Sequence, residues 1–348
     1  MKRLLILIIP FLFFIISCKT RDPTPQEVAQ FIVDIDSNNT ENVRRAIRRN
    51  PVIKYWTFDV GNVLTTPLTV AIYKGNDDII KLIADEHNAT LSVEPYYETP
   101  LMLALEMGCS TECIEYLMTF NQKYDSLDYQ NNNIIHFFVR NKNMNIETWN
   151  LIKTKITPDM INQKNDSNIS PIQRFVWTIL SEDIPDQKDT LTIFNDLLTL
   201  GANTEELFER VTSEEFKNFP YMELLITYFA NPYIEVILNH LSGSLPNYGN
   251  YSSYANVAYH HNNFEIVPKL IPYLNDINLC TKKNETILHW AAASTAKNVT
   301  DSSLVKQIID FGADTSIISV DGYTAYSAYK ELCENPDPEI LKLLKVDN

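Results

Sequence analysis

The stretch Thr-Ile-Leu-His-Trp-Ala-Ala at residues 286–292 decides the fold, because most of the 348-residue chain repeats it imperfectly. Two earlier openings, Thr-Pro-Leu at 66–68 and again at 99–101, carry the same pattern and start 33 residues apart. A fixed period of this size is typical of solenoids, in which each unit packs only against its neighbours. The sequence therefore predicts a repeat array rather than one or two compact domains.

Each opening predicts a pair of helices. Threonine followed by proline is a typical helix start, since the threonine side chain caps the helix and proline fits its first turn. Apolar residues at helical spacing then predict a second helix, for example around Ile79, Ile114 and Ile193. An amphipathic pair at 25–51 comes before the first opening and is predicted to cap the array. The other openings lie at 133–136, 170–172, 219–220, 253–258 and 324–326.

This pattern resembles the ankyrin repeat, whose unit runs Asp-x-x-Gly-x-Thr-Pro-Leu-His-x-Ala-Ala, then a second helix, then Gly-Ala-Asp. Gly-Ala-Asn at 201–203 and Gly-Ala-Asp at 312–314 match the end of that unit. The resemblance implies an all-α solenoid of about eight repeats plus an N-terminal cap, with β-hairpin-like fingers, over residues 26–348. It is weakest at 204–250, where we expect an irregular repeat with an insertion.

Asparagine replaces the glycine of the ankyrin pattern at three positions, namely Asn131, Asn168 and Asn284. Glycine serves where the backbone must adopt a left-handed conformation, and asparagine is among the residues that tolerate this conformation best after glycine. The sequence therefore predicts a left-handed backbone at all three positions.

The first 18 residues are typical of an exported lipoprotein. Met-Lys-Arg precedes thirteen nearly all-apolar residues, a run too short to span a bilayer as a helix. Ile-Ile-Ser-Cys at 15–18 resembles a bacterial lipobox, which implies that 1–17 is a signal peptide, that Cys18 is lipidated, and that 18–25 is a tether. The implied location is the bacterial cell envelope, facing the periplasm or the surface. An uncleaved signal anchor with an ordinary Cys18 is the alternative.

Composition and motifs argue against several classes of function. The net charge of −15 opposes binding to nucleic acid or to an anionic membrane surface. The sequence contains no glycine-rich phosphate loop, no His-Glu-x-x-His helix and no Gly-x-Ser-x-Gly elbow. We therefore expect no catalysis, no cofactor, no metal and no small-molecule substrate. Free thiols are the favoured interpretation of the four cysteines after position 18, which lack the spacing of a disulfide framework or a zinc site: Cys109, Cys113, Cys280 and Cys333.

Two kinds of histidine stand out. His136 and His289 occupy the histidine of the ankyrin pattern, and the resemblance implies that each bonds to backbone between repeats. His260 and His261 are adjacent, and adjacent residues on a helix point about 100° apart, so the pair is poorly placed to share a metal ion. A functional site at this pair would be the basis of an enzyme hypothesis, and ordinary surface is the alternative.

The resemblance implies that a protein partner binds to the fingers and to the concave face of the first helices. Aromatic and arginine side chains dominate the energetics of such interfaces. For each predicted side chain, packing against a neighbouring repeat is the alternative. On the first helices the predicted partner-binding residues are Tyr73, Lys74, Glu106, Met107, Arg140, Arg174, Trp177, His260, His261 and Trp290. On the fingers they are Trp56, Phe58, Tyr96, Tyr97 and Tyr323.

The predicted function is a non-catalytic interaction module, exported and membrane-anchored, that binds a protein partner. A narrower hypothesis is an inhibitor or immunity-type protein that neutralises an exported toxin or enzyme.

Overall fold

The computed structural model describes residues 21–60, 63–92, 96–181, 187–211, 219–248, 253–297 and 299–345. The predicted signal peptide and Cys18 lie outside these residues. No helix within the described segments is both long and apolar enough to cross a bilayer.

Helices in the described chain follow one another as nine consecutive pairs. The first five are α1 (Pro25–Asp36) with α2 (Thr40–Arg49), α3 (Pro67–Lys74) with α4 (Asp77–Ile83), α5 (Pro100–Met107) with α6 (Thr111–Met118), α7 (Ile134–Arg140) with α8 (Ile146–Ile152), and α10 (Pro171–Ser181) with α11 (Gln187–Thr199). The last four are α12 (Tyr221–Thr227) with α13 (Asn231–His240), α14 (Tyr254–His260) with α15 (Val267–Leu270), α16 (Ile287–Ala296) with α17 (Ser302–Asp310), and α18 (Ala325–Leu332) with α19 (Pro338–Leu344). A single turn, α9 (Pro158–Ile161), stands between the fourth and fifth pairs.

Short elements complete the described chain. An antiparallel hairpin of β1 (Phe58–Val60) and β2 (Val63–Thr65), with Phe58 opposite Thr65, forms the first finger. Short 3₁₀ helices occupy Pro51–Tyr55, Lys153–Lys155, Thr204–Phe208 and Ile271–Tyr273.

The pairs stack into two layers of helices. The first helix of each pair packs on the first helix of the next, from α1 through to α18. The second helices form a parallel layer, in which α2, α4, α6, α8, α11 and α13 follow one another. The core runs continuously between the layers and includes the fully buried side chains of Leu68, Phe138 and Leu288.

Local sequence explains where the helices begin and end. Thr66 accepts a hydrogen bond from the Thr69 backbone N–H at 3.1 Å, and Thr99 accepts one from Met102 at 3.2 Å. These bonds satisfy backbone donors that the helix itself leaves unpaired. Gly75 ends α3 in the left-handed conformation, with φ of 63°. The predicted Thr-Pro starts are therefore confirmed.

The three asparagines have the predicted left-handed backbone, with φ of 60° at Asn131, 59° at Asn168 and 54° at Asn284. Two of them also bond to the next finger. The Asn131 side chain donates to the Asp166 carboxylate at 2.6 Å, and that of Asn284 donates to the Ile318 carbonyl at 2.7 Å. Asparagine thus adds a cross-repeat bond that glycine cannot make.

Buried histidines link successive repeats, as predicted. His136 Nδ1 accepts from the Asn133 backbone N–H at 3.2 Å, and its Nε2 lies 3.0 Å from the Ile169 carbonyl in the next repeat. His289 is held in the same way, 3.1 Å from the Thr286 N–H and 3.1 Å from the Tyr323 carbonyl. Each ring must therefore be neutral, with the proton on Nε2. Burial lowers the pKa of His136 to about 4 and also lowers the pKa of His289.

Gln173 makes the same link in the fifth pair without a titratable ring. Its Oε1 accepts from the Ser170 N–H at 3.0 Å, and its Nε2 donates to the Glu206 carbonyl at 2.8 Å. Glutamine can therefore replace histidine in the cross-repeat hydrogen bonds at this position of the repeat.

The region predicted to be irregular still contains a helix pair. α12 starts at Tyr221, directly after Pro220, without a side-chain cap. Backbone pairing anchors this start instead, since the Val211 N–H donates to the Phe219 carbonyl at 2.9 Å. Residues 212–218, where we expected part of an insertion, lie outside the described residues.

Candidate interaction surface

The groove is the predicted concave face, lined by side chains that stand four, seven or eight residues after the position that opens each first helix. Tyr73, Glu106 and Arg140 stand seven residues after the caps of α3, α5 and α7. Because these helices pack in register, the three side chains follow one another along one side of the array. The sequence period thus places predicted residues from different repeats on one surface.

Charged side chains of opposite sign meet at the centre of the groove. Glu106 Oε1 lies 3.7 Å from Arg140 Nη1, and both side chains are largely buried. The Arg140 guanidinium also lies over the Phe137 ring, 5.0 Å from its centroid. Arg174 is half-buried close by, and burial, together with the repulsion from Arg140, lowers its pKa.

Glu98 adds a carboxyl group that the repeat pattern did not reveal. It lies just before the cap of α5 and is half-buried. Burial raises the pKa of Glu98 to about 7, with further contributions from the negative charges of Glu106 and Asp128. At neutral pH the groove therefore holds a carboxyl group that is only partly ionised.

We expect Glu98→Gln to stabilise the chain at about pH 8 and to change its stability little at about pH 5. The carboxyl of Glu98 keeps its proton in the folded chain until about pH 7, whereas the ordinary pKa of glutamate is 4.5. Stability therefore falls as the pH rises through this window, and glutamine removes the loss because it stays neutral. Thermal unfolding followed by circular dichroism at the two pH values measures the effect, and an equal shift at both would contradict it.

Exposed tyrosines cover the neighbouring fingers. Tyr96 and Tyr97 are 38% and 44% exposed, and Tyr97 has a left-handed backbone with φ of 56°. The Tyr96 ring contacts that of Tyr129 in the next finger, with centroids 5.1 Å apart, and the Tyr129 N–H donates to the Tyr96 carbonyl at 2.9 Å. Tyr129 was missed in the sequence, although it follows Tyr96 by the repeat period of 33 residues.

The remaining predicted finger residues differ in their exposure to solvent. Trp56 is partly exposed after the first 3₁₀ helix, and Phe58 lies half-buried in β1. Tyr323 is partly exposed, and its hydroxyl lies 3.3 Å from Glu331. Exposed apolar side chains at Ile318 and Val320 extend this last finger and were also missed.

Among the predicted residues on the helices, some are accessible and some already have partners. Met107 is exposed at the end of α5. Lys74 forms an ion pair with Asp36 at 2.6 Å. Trp177 is half-buried edge-to-face with Tyr221, at a centroid distance of 6.4 Å.

Trp290 is half-buried as well. Its indole N–H donates to Glu285 at 3.1 Å, and its ring packs edge-to-face with Tyr259 at 6.3 Å. A structural contribution therefore accounts for much of the Trp290 side chain.

The histidine pair is arranged as two separate groups. His260 is exposed, whereas His261 is half-buried, and its Nε2 lies 3.5 Å from the buried Glu223 carboxylate. The two rings are edge-to-face, with centroids 5.3 Å apart. Of the two residues, His260 is therefore the more exposed to solvent.

The four cysteines after position 18 are free thiols in the structure. Cys109 and Cys113 are buried, and their sulfurs lie within 4.8 Å of each other and of the Asp77 carboxylate. Sequence spacing did not reveal Asp77, because it belongs to the preceding repeat. Three donors are one fewer than a structural zinc site uses, and the Asp77 carboxylate also accepts a hydrogen bond from Ser110.

A cleft of about 550 Å³ opens between the fifth and sixth helix pairs. Exposed Tyr228 and Phe229 lie beside it. Neither was predicted, because both fall in the turn after α12, where the repeat pattern is weakest.

Comparisons with known proteins identify the class of fold. The family described as Ankyrin repeats (3 copies) matches residues 30–128. Together with the nine stacked helix pairs, this match makes the fold an ankyrin repeat solenoid, as predicted from the 33-residue period. Ankyrin repeats are protein–protein interaction modules.

The similar curated proteins are viral. Ankyrin repeat domain-containing protein OPG023 of Monkeypox virus is 31% identical over 118 residues, which are 32% of this chain and 16% of that protein. Its namesake in Cowpox virus (strain Brighton Red) is 30% identical over 118 residues, again covering 32% of this chain and 16% of the relative. Ankyrin repeat protein 14 of Vaccinia virus (strain Western Reserve) is 36% identical over 74 residues, which are 21% of this chain and 28% of that protein.

The chain therefore spans less than a third of the length of these relatives. Among solved structures, the human ASB11 ankyrin repeat domain aligns with 71% of this chain and 96% of its own, at 14% identity and a TM-score of 0.41.

Proposed function

We propose that this chain is a non-catalytic interaction module that holds a protein partner through its fingers and groove. The observation that carries the proposal is the continuous strip of exposed tyrosines and half-buried charged side chains from Tyr96 to Arg174. Tyrosine and arginine anchors surrounded by half-buried surface are the composition of binding hot spots. An extended concave surface of this kind suits a large partner better than a small molecule.

We further propose that the module is exported and fixed to a bacterial membrane through Cys18. The support is the sequence of the first 18 residues, with two positive charges, a short apolar run and Ile-Ile-Ser-Cys. Two or more acyl chains anchor a protein stably, whereas one does not. Labelling cells with a radioactive fatty acid tests this step: the wild-type chain should be labelled, and Cys18→Ala should not. Equal labelling of both chains would refute the anchor.

The narrower candidate is an inhibitor or immunity-type protein that neutralises an exported toxin or enzyme. The net charge of −15 favours it for a basic partner, since opposite charge accelerates association. Loss of the partner's activity on addition of the chain would support this candidate over a purely scaffolding function.

Substitution of the finger tyrosines is expected to weaken partner capture. Tyr96→Ala with Tyr97→Ala removes two exposed aromatic contacts, and truncation of hot-spot residues costs about 2 kcal/mol or more, equivalent to roughly 30-fold in affinity. Affinity capture from extract, followed by mass spectrometry and titration of the captured partner, measures the loss. Phe311→Ala is the matched control, because Phe311 is also an exposed aromatic residue but lies at the end of α17, in the layer of second helices. Equal affinities for the finger variant and the control would contradict the site assignment.

A further inference from the structure

We propose that Arg140 and Arg174 together hold the carboxylate of an acidic side chain in the bound partner. The inference deepens the proposed function and rests on it, because it assigns a chemistry to the centre of the groove. It concerns one contact within a larger interface.

Arg174 has a polar atom that the chain leaves unsatisfied. Its Nε is shielded from solvent and has no hydrogen-bond partner. Within the described residues Arg174 also forms no ion pair, whereas Arg140 has Glu106 at 3.7 Å. A shielded N–H without an acceptor is costly in the free chain, and a reorientation of the half-buried side chain toward an arriving acceptor would recover that cost.

The repeat geometry brings the two arginines to the same place. Arg174 stands four residues after Ser170, and Phe137 stands four residues after the cap Asn133 of the preceding repeat. Because α7 and α10 pack together, these equivalent positions lie on neighbouring helices, and Arg174 is close enough to Arg140 for the charge of Arg140 to act on it. Two guanidinium groups from adjacent helices thus share one half-buried site, in which the charge of Arg140 contributes to the lowered pKa of Arg174.

The carboxyl groups already in the groove leave Arg174 without an acceptor. Glu106 is the carboxylate paired with Arg140, and burial raises the pKa of Glu106 above its usual range. Glu98 and Asp128 also lie near Glu106, yet none of these carboxyl groups accepts a hydrogen bond from Arg174 Nε. Guanidinium groups bind carboxylates through paired N–H donors, so an acidic side chain fits the site better than a neutral one.

The walls of the site favour a side chain carried on a peptide segment. Phe137 lies below Arg140, and the half-buried Trp177 stands one turn after Arg174 on α10. Such apolar surroundings exclude water and strengthen a charged contact made between them. The expected ligand is therefore an aspartate or glutamate side chain in an extended segment of the partner that lies along the groove.

A peptide library displayed on phage, selected against the full chain, tests the proposal directly, because the selection does not require the partner to be identified first. Peptides whose binding is lost in Tyr96→Ala/Tyr97→Ala are assigned to the groove. We expect these peptides to share an aspartate or glutamate at one position. Replacing that residue by asparagine or glutamine should weaken binding to the wild-type chain by about 30-fold, as for a desolvated charge pair.

The protein variants complete a double-mutant cycle. Arg174→Gln and Arg140→Gln should each weaken the acidic peptide by about 30-fold and its neutral analogue by less than about threefold. Arg44→Gln is the matched control, because Arg44 is an accessible arginine on α2, paired with Glu41 and remote from the groove. Circular dichroism verifies that each variant is folded, and the peptide substitution on the wild-type chain needs no variant at all.

The outcomes separate this inference from the proposed function. The inference would be overturned if the groove-binding peptides shared no acidic position. It would also be overturned if they shared one but bound equally well to Arg140→Gln and Arg174→Gln. Either result would leave the proposed interaction module standing. Absence of any peptide that binds the groove would count against both.

Discussion

Replacing His136 by leucine is expected to lower the free energy of unfolding by about 3 kcal/mol, whereas glutamine should cost less than about 1 kcal/mol. Leucine leaves the Asn133 N–H and the Ile169 carbonyl unpaired between two repeats. Glutamine can make both bonds, because Gln173 already makes their equivalents in the fifth pair. Urea unfolding followed by circular dichroism at neutral pH measures the two changes.

The same substitution should change the response to acid. The pKa of His136 is lowered from 6.5 to about 4, so between these values the unfolded chain binds a proton that the folded chain excludes. Stability therefore falls as the pH drops through this window, by up to about 3 kcal/mol, since one pKa unit corresponds to about 1.4 kcal/mol. His136→Gln should remove this contribution, and Gln173→His should add a similar one. Identical pH dependence in all three chains would contradict the assigned protonation of the ring.

Replacing Trp149 by alanine is expected to destabilise the centre of the array by about 4 kcal/mol. Trp149 is fully buried and stacks on Phe138, with ring centroids 5.5 Å apart. Its indole N–H donates to Asp196 in α11 at 2.9 Å, and Lys153 contacts the same carboxylate at 3.1 Å. Trp149 thus joins the fourth and fifth helix pairs through both packing and a hydrogen bond.

The loss should also change how the chain unfolds. Stability in a solenoid depends on the interface between neighbouring repeats, so weakening one interface uncouples the segments on either side. We expect Trp149→Ala to unfold in two separate transitions in urea. Trp149→Phe should cost about 1 kcal/mol, since it keeps most of the packing and loses one hydrogen bond. Trp56→Ala, at a partly exposed position, is the control; a single unshifted transition for Trp149→Ala would contradict this account of the array.

Much of the scaffold could be predicted because it depends on contacts that recur with the period. Each of three features is determined by the residue at a single position of the repeat: the threonine caps, the left-handed backbone at Asn131 and the cross-repeat bond of His136. These features are local, or they join neighbouring copies of the same unit. The spacing in the sequence therefore predicts them. The helix pair from Tyr221 was also expected, although its start uses backbone pairing in place of a side-chain cap.

Less of the interaction surface could be predicted from the sequence. Three features depend on how neighbouring repeats pack: the approach of Arg174 to Arg140, the raised pKa of Glu98 and the position of Asp77 beside two thiols. Periodicity aligns equivalent positions, but it does not report the burial of a charge or the absence of a bonding partner. Tyr129 is the exception, because the period alone, applied to Tyr96, would have found it.

The footprint of the captured partner on the full chain is the most direct test of the central claim. Hydrogen exchange, measured with and without the partner, reports which backbone segments become protected. We expect protection at the fingers around Tyr96 and Tyr129 and along α5, α7 and α10, with α4, α6 and α8 unchanged. Protection confined to the second helices, with the fingers and the groove unaffected, would contradict the claim that this ankyrin solenoid binds through its concave face.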